Sequence, residues 1–535
     1  MLTKHTLKTK FLQVLFLCGI GMIYSSCTKT IMAPRPDQSK ITTTFNGNGT
    51  VDLRDTLVNL ASVFYLWNNN IPANFAPHTY SASDSLAAEL AALKAFSPLN
   101  SVTGNHYDHF SFILSEADYQ KEFVQGVSTS FGLGYAFDRS DTLRVNYCAH
   151  ASTAYSQGVR RGWKILAING IKVATDANTL SQLNSALNGA SASFSFQIPG
   201  SNANQTLSIT KQDIPDDEVI TTKVFNIGSK TVGYIAYNTF LTALNKSGIP
   251  IHPGMDSSFA NLAKANITDI VIDLRYNGGG YTLVSEQMDD ALLPASANHQ
   301  VLYTEHYNDT LNKYYKLGYK NVDHDTTINI NEGNVANPPK LNVNSVVFIV
   351  SDNTASAAEL VINSITPYFN GNVKLIGLGL GRDKQYQNTA GKPFGYAGQF
   401  GLPAAKPTLE AFLINFETKN SLGVDNYVSG FVPDVQVHDG VEFDFGDPRE
   451  DGLAKALSYE STNSLAYTTR SNQLAIGRFA NPSGGAGLAM NPFINNHRFQ
   501  GMMSRTGTAS AAKKNFVYHN TLQGKIRPIN TIIHH

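Results

Sequence analysis

The spacing of hydrophobic residues changes along the chain and divides it into regions. In residues 51–120, apolar positions recur every three or four residues, most clearly in Leu86–Leu93, and this spacing predicts a small helical domain. In residues 121–215, short runs such as Ala192–Ile198 alternate apolar and polar positions between clusters of Gly, Asn and Ser. That alternation predicts a β-rich module.

Residues 216–460 combine both patterns. Helical stretches alternate there with strand-like apolar runs, which include Val232–Tyr237, Ile267–Leu274 and Val346–Val350. Such alternation is typical of an α/β core with a partly parallel sheet, so the sequence predicts a multidomain α/β protein. Residues 461–535 show little periodicity, and we predict only a carboxyl-terminal extension without an assigned role.

Residues 1–27 have the features of an export signal. Three lysines precede the apolar run Phe11–Tyr24, which is shorter than the roughly 20 residues of a membrane span and fits a signal peptide. The small residues before Cys27 resemble a bacterial lipoprotein signal, which implies that Cys27 is lipidated. The alternative is an ordinary secretory signal. Residues 28–50, rich in Thr, Lys, Pro and Asn, are predicted to be a flexible tether.

These features predict a lipoprotein of the outer membrane. We expect it in the cell envelope, on the periplasmic or the surface side, and in contact with the membrane only through a lipid anchor.

The composition excludes several kinds of partner and of stabilising chemistry. The 535 residues include 41 Lys+Arg and 41 Asp+Glu, and only 15% are charged. Nucleic-acid binding requires many cationic side chains on phosphates, so we expect no nucleic-acid partner. Three cysteines are too few for a disulfide framework or a four-cysteine zinc site, so packing must stabilise the fold. The oligomeric state is left undetermined.

A glycine-rich segment at a strand end is the first candidate for chemistry. Asp273–Gly280 reads Asp-Leu-Arg-Tyr-Asn-Gly-Gly-Gly and directly follows an apolar run. Three glycines there allow a sharp turn whose amides point at a ligand oxygen. A turn without a ligand is the alternative. The G-x-G-x-x-G spacing of a dinucleotide site is absent.

The second candidate, Ser351–Val361, places a serine at the start of a helix. It follows a predicted strand, and its Ala-rich part puts Ser356 near a helix amino end, where free amides and the helix dipole favour negative charge. The oxyanion formed when a serine attacks needs such donors. The alternative is that Asp352, Asn353 and Thr354 cap the helix while Ser356 only packs.

A serine nucleophile needs a base, and Lys384 is the candidate. It lies in a Gly-rich loop after an apolar strand. A lysine buried among apolar neighbours holds its proton weakly enough to serve as the base of a Ser-Lys pair. A solvated lysine without a role is the alternative.

Together these segments resemble the carboxyl-terminal processing peptidases, also called tail-specific proteases. That family carries D-L-R-x-N-x-G-G after a core strand, as in Asp273–Gly280, and S-A-[SA]-E at the start of a helix, as in Ser356–Glu359. Gly430–Asp434 and Gly446–Pro448 supply further matches. The likeness extends over about residues 51–459.

The resemblance implies a serine peptidase that forms an acyl-enzyme on Ser356. It makes Lys384 the base, Gln387 the residue that orients the base, and the amides of Gly279 and Ala357 the oxyanion donors. Such a reaction requires neither a metal nor an organic cofactor. The expected partner is a peptide or protein substrate.

The base departs from the family pattern. In the family the lysine directly follows a glycine, whereas Arg382 and Asp383 precede Lys384, which therefore lies one residue later. Lys374 is the fallback base. If no lysine serves the serine, the alternative function is that of a non-catalytic peptide-binding lipoprotein with the same fold.

The resemblance also implies a PDZ-like domain in residues 121–215. Phe131–Phe137 resembles the loop and strand that receive the terminal carboxylate of a peptide. The peptide then adds as an extra strand. The alternative is a β-module that only packs against the core. The peptide-binding residues implied are Gly132, Leu133, Gly134 and Tyr135.

Other catalytic signatures match poorly. Ser208–Lys211 and Ser351–Asn353 match parts of a β-lactamase signature, but Ser208 lies in a predicted strand and not at a helix start. His106 and His109 lack a convincing third metal ligand. The chain has neither the H-E-x-x-H motif of zinc proteases nor the G-x-S-x-G motif of α/β-hydrolases.

Overall fold

The structure is a computed structural model that describes most of the chain between residues 52 and 465. The described ranges are 52–81, 86–100, 104–108, 110–201, 203–319, 322–331, 338–379, 394–402 (backbone only), 409–425, 427 and 430–465.

The α-helices of these ranges begin at short polar caps in several cases. At α5, for example, Asp176 accepts a hydrogen bond from Thr179 N. None of the described helices is long and apolar enough to cross a membrane. The helices are α1 Leu53–Phe64, α2 Ala87–Lys94, α3 Glu116–Tyr119, α4 Thr153–Ser156, α5 Ala177–Asn188, α6 Pro253–Lys264, α7 Thr282–Leu292, α8 Asp309–Lys316, α9 Ala357–Ile365 and α10 Asp451–Thr462.

The β-strands of the described residues fall into four sheets. They are β1 Phe112–Ser115, β2 Val127–Ser130, β3 Leu133–Phe137, β4 Leu143–Cys148, β5 Lys164–Ile168, β6 Ile171–Lys172, β7 Ser191–Gln197, β8 Asn204–Thr210, β9 Gln212–Pro215, β10 Val219–Ile227, β11 Lys230–Tyr237, β12 Asp269–Asp273, β13 Val301–Tyr307, β14 Thr326–Asn329, β15 Val346–Val350, β16 Val373–Gly379, β17 Phe394–Leu402, β18 Leu409–Asn420 and β19 Val435–His438.

A six-stranded sheet of order β10-β11-β12-β15-β16-β19 forms the centre of the core. β10 and β11 are antiparallel, and every other neighbouring pair is parallel. The register places Asp273 of β12 beside Ile349 of β15, so these two strands end at the same edge. The predicted α/β fold with a partly parallel sheet is confirmed.

Helices cover both faces of the central sheet, which explains why its inner strands β12 and β15 are buried along their whole length. α7 and α9 pack on each other between this sheet and a second, antiparallel sheet of order β1-β18-β13-β14, where β17 also pairs with β18. α10 packs on the opposite face, against β15, β16 and β19. Because β1 belongs to the second sheet, residues 51–120 share a hydrophobic core with residues 216–460.

The β-rich region has a hydrophobic core of its own. Its sheet has the order β3-β4-β5-β7-β8, with β6 paired to β5. Phe131, Phe194 and Phe196 pack together inside it. β2 and β9 pair as a separate two-stranded ribbon, and the chain enters and leaves this β-module through that ribbon.

Candidate active site

The turn between β15 and α9 holds Ser356 in a backbone conformation that few L-residues adopt. Its φ is +60° and its ψ is −119°. A sharp, strained strand-to-helix turn of this kind exposes the nucleophilic serine in α/β-hydrolases. Strained residues cost about 1–3 kcal/mol and concentrate at functional sites. Ser356 thus lies in a strained strand-to-helix turn, or nucleophile elbow, although the chain lacks the G-x-S-x-G motif. This geometry favours a functional role of Ser356 over a packing role.

The two polar groups of Ser356 have different environments. Its N–H donates to Glu359 Oε2 at 3.1 Å, in the first turn of α9. Its Oγ is buried and faces the Glu359 backbone in a capping-box arrangement, but it forms no hydrogen bond of full geometry with a described residue. Buried hydroxyls are normally paired, so this oxygen is available to a substrate or a base. Because Ser356 is itself the residue before α9, neither Asp352 nor Thr354 occupies the cap position.

The glycine-rich segment lies directly against this serine. Gly279 has φ +105°, and a Cβ at this position would lie 2.6 Å from Ser356 Cβ and 3.0 Å from Ala357 N. No side chain fits there. The N–H of Gly279 donates to Asn277 Oδ1 at 2.8 Å. The structure therefore brings the two predicted oxyanion residues, Gly279 and Ala357, together beside Ser356, with the Gly279 amide bonded to Asn277.

Arg275, in the same segment, is the centre of a buried group of charges. Its guanidinium contacts the carboxylates of Asp273 at 2.6 Å, Asp439 at 2.8 Å and Glu450 at 2.8 Å. Burial alone would raise the pKa of Glu450, but the charge and hydrogen bonds of Arg275 lower it to about 2. Asp439 follows β19 and Glu450 precedes α10, so these contacts fix the glycine-rich segment to both elements.

The β-module contributes a second cation to this charge cluster. Arg161 contacts Asp439 at 2.5 Å and donates to the Tyr276 hydroxyl at 2.9 Å. Tyr276 in turn donates to the other carboxylate oxygen of Asp439. Since Tyr276 belongs to the glycine-rich segment, the β-module is attached directly to the loop beside Ser356.

Of the two candidate bases, only the fallback Lys374 is among the described residues. Lys374 lies on β16 beside Val347, three residues before the end of β15, and its Nζ donates to Gly371 O at 2.8 Å. This lysine therefore lies away from the end of β15 and from the turn after it that contains Ser356. Three predicted functional residues lie outside the described residues: Cys27, Lys384 and Gln387.

The predicted peptide-binding residues lie at the edge of the β-module. Gly132 has φ +72° and directly precedes β3, which contains Leu133, Gly134 and Tyr135. β3 is the end strand of its sheet, and β4 is its only partner among the described strands. The side chains of Leu133 and Tyr135 pack in the module core. The outer edge of β3 thus has no strand partner among the described residues, while four of its five residues are buried.

Metal-ligand chemistry finds no support in the described part of the chain. No group of three or more His, Cys, Asp or Glu residues there is placed to hold a metal ion. His106 bonds through Nδ1 to Ser97 O at 2.7 Å. His109 lies outside the described residues.

Part of this chain matches a peptidase family. The sequence profile of Peptidase family S41 matches residues 231–389, which contain Gly279, Ser356 and Lys384. A search of curated proteins finds no match.

One solved structure supports the fold with a TM-score above 0.5, and two others are similar at lower TM-scores. A candidate S41 protease from Bacteroides fragilis NCTC 9343 is 21% identical, with a TM-score of 0.57 over 76% of this chain and 97% of that one. The photosystem II D1 C-terminal processing protease is 18% identical, with a TM-score of 0.43 over 78% and 99%. Mature CPAF complexed with lactacystin is 12% identical, with a TM-score of 0.41 over 76% and 96%.

The close approach of Gly279 to Ser356 generates a first prediction. Gly279→Ala should lower kcat/KM for a peptide substrate at least about 100-fold, because the added Cβ must displace Ser356 or the loop. Gly318→Ala is the matched control, since Gly318 has φ +97° and open space around its Cβ position. Equal losses of activity and of thermal midpoint in both variants would show that backbone strain alone explains the effect.

The contact of Arg161 with the charge cluster generates a second prediction. Arg161→Met should cost about 3–5 kcal/mol in the free energy of unfolding, because it leaves buried carboxylate charge undercompensated. It should also make the β2–β9 ribbon more sensitive to limited proteolysis, because the β-module loses a contact with the core.

Arg144→Met is the control for that prediction. Arg144 pairs with Asp138 at 2.6 Å inside the β-module. If cleavage in the ribbon is as fast in Arg144→Met as in Arg161→Met, Arg161 has no special part in docking the module.

Proposed function

Residues 231–389 form a serine-type peptidase domain of family S41, and from this premise we propose that the chain is an exported endopeptidase with Ser356 as its nucleophile. The observation that carries the proposal is the strained backbone of Ser356, a residue in the turn that follows the parallel strand β15. A serine used only for packing does not need this strain, and Ser364, whose buried Oγ also lacks a partner among the described residues, is not in such a conformation.

In the proposed reaction, neutral Lys384 takes the proton of Ser356 Oγ as this oxygen attacks the carbonyl carbon of a peptide bond. The tetrahedral intermediate collapses when its C–N bond breaks, and protonated Lys384 returns the proton to the leaving amine. Water then attacks the acyl-enzyme with Lys384 again as the base, which restores the Ser356 hydroxyl. Gln387 orients the lysine.

The amides of Gly279 and Ala357 would stabilise the oxyanion of both tetrahedral intermediates. Each such donor contributes on the order of 3 kcal/mol to transition-state stabilisation. Gly279 N–H donates to Asn277 Oδ1 in the structure. The oxyanion must therefore share this hydrogen with Asn277 or replace that acceptor.

The β-module is proposed to be PDZ-like and to bind the carboxyl-terminal tail of the substrate. Support comes from β3, which ends its sheet and has one partner among the described strands. A peptide that pairs with the backbone of Leu133–Tyr135 would extend the sheet by one strand. The turn at Gly132, with φ +72°, leads directly into that edge.

Export and lipid anchoring at Cys27 complete the proposal. They are supported by the lysines, the short apolar run and the small residues that precede Cys27. The tether of residues 28–50 would then connect the lipid to the first described helix, at the outer membrane of the cell envelope.

A peptide-library digest tests the nucleophile and the base. Ser356→Ala and Lys384→Ala should each abolish cleavage, whereas wild-type activity should rise between pH 5 and pH 9 as the proposed lysine base loses its proton. Ser364→Ala is the control for the serine, since Ser364 has a buried, unpaired Oγ on the same helix. Lys374→Ala is the control for the lysine.

Three results of that digest would contradict the mechanism. Cleavage that survives in Ser356→Ala removes the nucleophile, and a flat pH profile removes the lysine base. Wild-type protein that binds peptides without cleaving any of them supports the alternative of a non-catalytic peptide-binding lipoprotein.

Tail recognition is tested with pairs of peptides that differ only in a free or an amidated carboxyl terminus. The free acid should have a KM at least about tenfold lower, because the loop before β3 receives the carboxylate. Gly132→Ala should remove this preference, since its Cβ would lie 2.2 Å from Ser152 Cβ. Gly158→Ala, with φ +92° and open space, is the control. If both variants keep the preference, the tail binds elsewhere.

A further inference from the structure

We infer that Thr354 and Ser351 are positioning residues whose hydroxyl groups hold the glycine-rich segment in register with Ser356. The inference rests on the proposed function, because it concerns the geometry of the same site. Neither residue touches the substrate. Both act through the backbone of the two loops that meet at the nucleophile.

The backbone ladder between the two parallel strands stops just before these loops. β12 and β15 pair in register up to Asp273 and Ile349. One further bond follows, from Leu274 N to Ile349 O at 2.8 Å. Beyond it the two backbone segments enter different turns, and no regular backbone pairing holds them together.

Side-chain hydroxyls continue the ladder past this point. Thr354 Oγ1 donates to Leu274 O at 2.8 Å, and Ser351 Oγ donates to Arg275 O. Ala355 N then donates to Asn277 O at 3.0 Å. Three successive bonds therefore run from the serine turn to the glycine-rich segment, and two of them come from hydroxyl groups. The last one lies one residue before Ser356.

The same hydroxyls also organise the serine turn. Thr354 Oγ1 accepts from Ser351 N at 3.0 Å, and Ser351 Oγ accepts from Asn353 N at 3.1 Å. Each hydroxyl oxygen thus accepts a hydrogen bond from an amide of the serine turn. Each hydroxyl proton is donated to a carbonyl of the glycine-rich segment. Because Thr354 and Ser351 are 0% and 1% exposed, water cannot take over these bonds in the folded protein.

The hydroxyl bonds of Thr354 and Ser351 fix the position of the glycine-rich segment relative to the turn that contains Ser356. The two loops are in close contact at Gly279, where a Cβ would lie 2.6 Å from Ser356 Cβ and 3.0 Å from Ala357 N. A shift of one loop along the other would move the Gly279 amide relative to the Ser356 hydroxyl. Displacements of about 1 Å can cost about 100-fold in rate when reacting groups must be aligned.

Thr354→Val tests the inference because valine keeps the shape of threonine and removes the hydroxyl. We expect kcat to fall at least about tenfold while KM stays within about threefold, since the substrate-binding β-module is untouched. Thr354→Ser restores the hydroxyl and should keep kcat within about threefold of wild type. Ser351→Ala, which removes the second bond, should lower kcat in the same way.

Thr56→Val is the matched control. Thr56 is also buried, and its Oγ1 donates to a backbone carbonyl, Asp52 O, at 3.2 Å in α1. It should lose a similar amount of thermal stability without a change in kcat. The rate at which a fluorophosphonate probe labels Ser356 provides a second readout that does not depend on the choice of peptide.

The outcomes separate this inference from the proposed function. If Ser356→Ala keeps full activity and labelling, the proposed function is wrong. If Ser356→Ala is inactive but Thr354→Val and Ser351→Ala match Thr56→Val in kcat and labelling rate, the positioning role is wrong. If Thr354→Val does not fold, Ser351→Ala and Thr354→Ser decide: an unchanged kcat in Ser351→Ala overturns the inference, and a loss in Ser351→Ala with an active Thr354→Ser supports it.

Discussion

Pairing of buried charge is the constraint on which the site depends. Arg275 and Arg161 lie with Asp273, Asp439 and Glu450 where water is excluded, and charges persist there only when each has an opposite partner. The partners come from the end of β12, the end of β19, the start of α10 and the β-module, so these parts must meet at one point. The glycine-rich segment starts inside this charge cluster and therefore begins from a fixed position.

The fixed segment makes the strain at Ser356 possible. A residue at φ +60° would relax if its neighbours allowed it, at a gain of about 1–3 kcal/mol. Three features oppose this relaxation. Gly279 occupies the space beside Ser356, and Glu359 accepts a hydrogen bond from the Ser356 N–H. In addition, α9 begins at the next residue and is buried. The strain is thus stabilised by packing and hydrogen bonds that form only in the complete fold.

Sequence patterns predicted the parts of the fold that depend on local spacing. The apolar runs at β12 and β15, and the motifs that contain Gly279 and Ser356, could be read directly. The role of Arg161 could not be read from the sequence, because its partner Asp439 lies 278 residues away along the chain. Thr354 was considered only as a helix cap, but its hydroxyl bonds across to Leu274. Every residue of α7 except Leu283 is buried, although six of them are polar, and burial raises the pKa of Asp289 well above its usual value. Only tertiary packing decides such cases.

Two of the connections between the β-module and the core have different mechanical consequences. The β2–β9 ribbon alone would let the module rotate about the ribbon axis, since two strands resist bending less than a full sheet does. Arg161 adds an attachment away from that axis, at Asp439 and Tyr276. Arg139 also pairs with Glu442 and Asp451, and Tyr147 donates to Asp217, so several contacts outside the ribbon oppose rotation of the module. For a substrate tail held on β3, the distance from β3 to Ser356 would set how many residues separate its carboxyl end from the bond that Ser356 reaches.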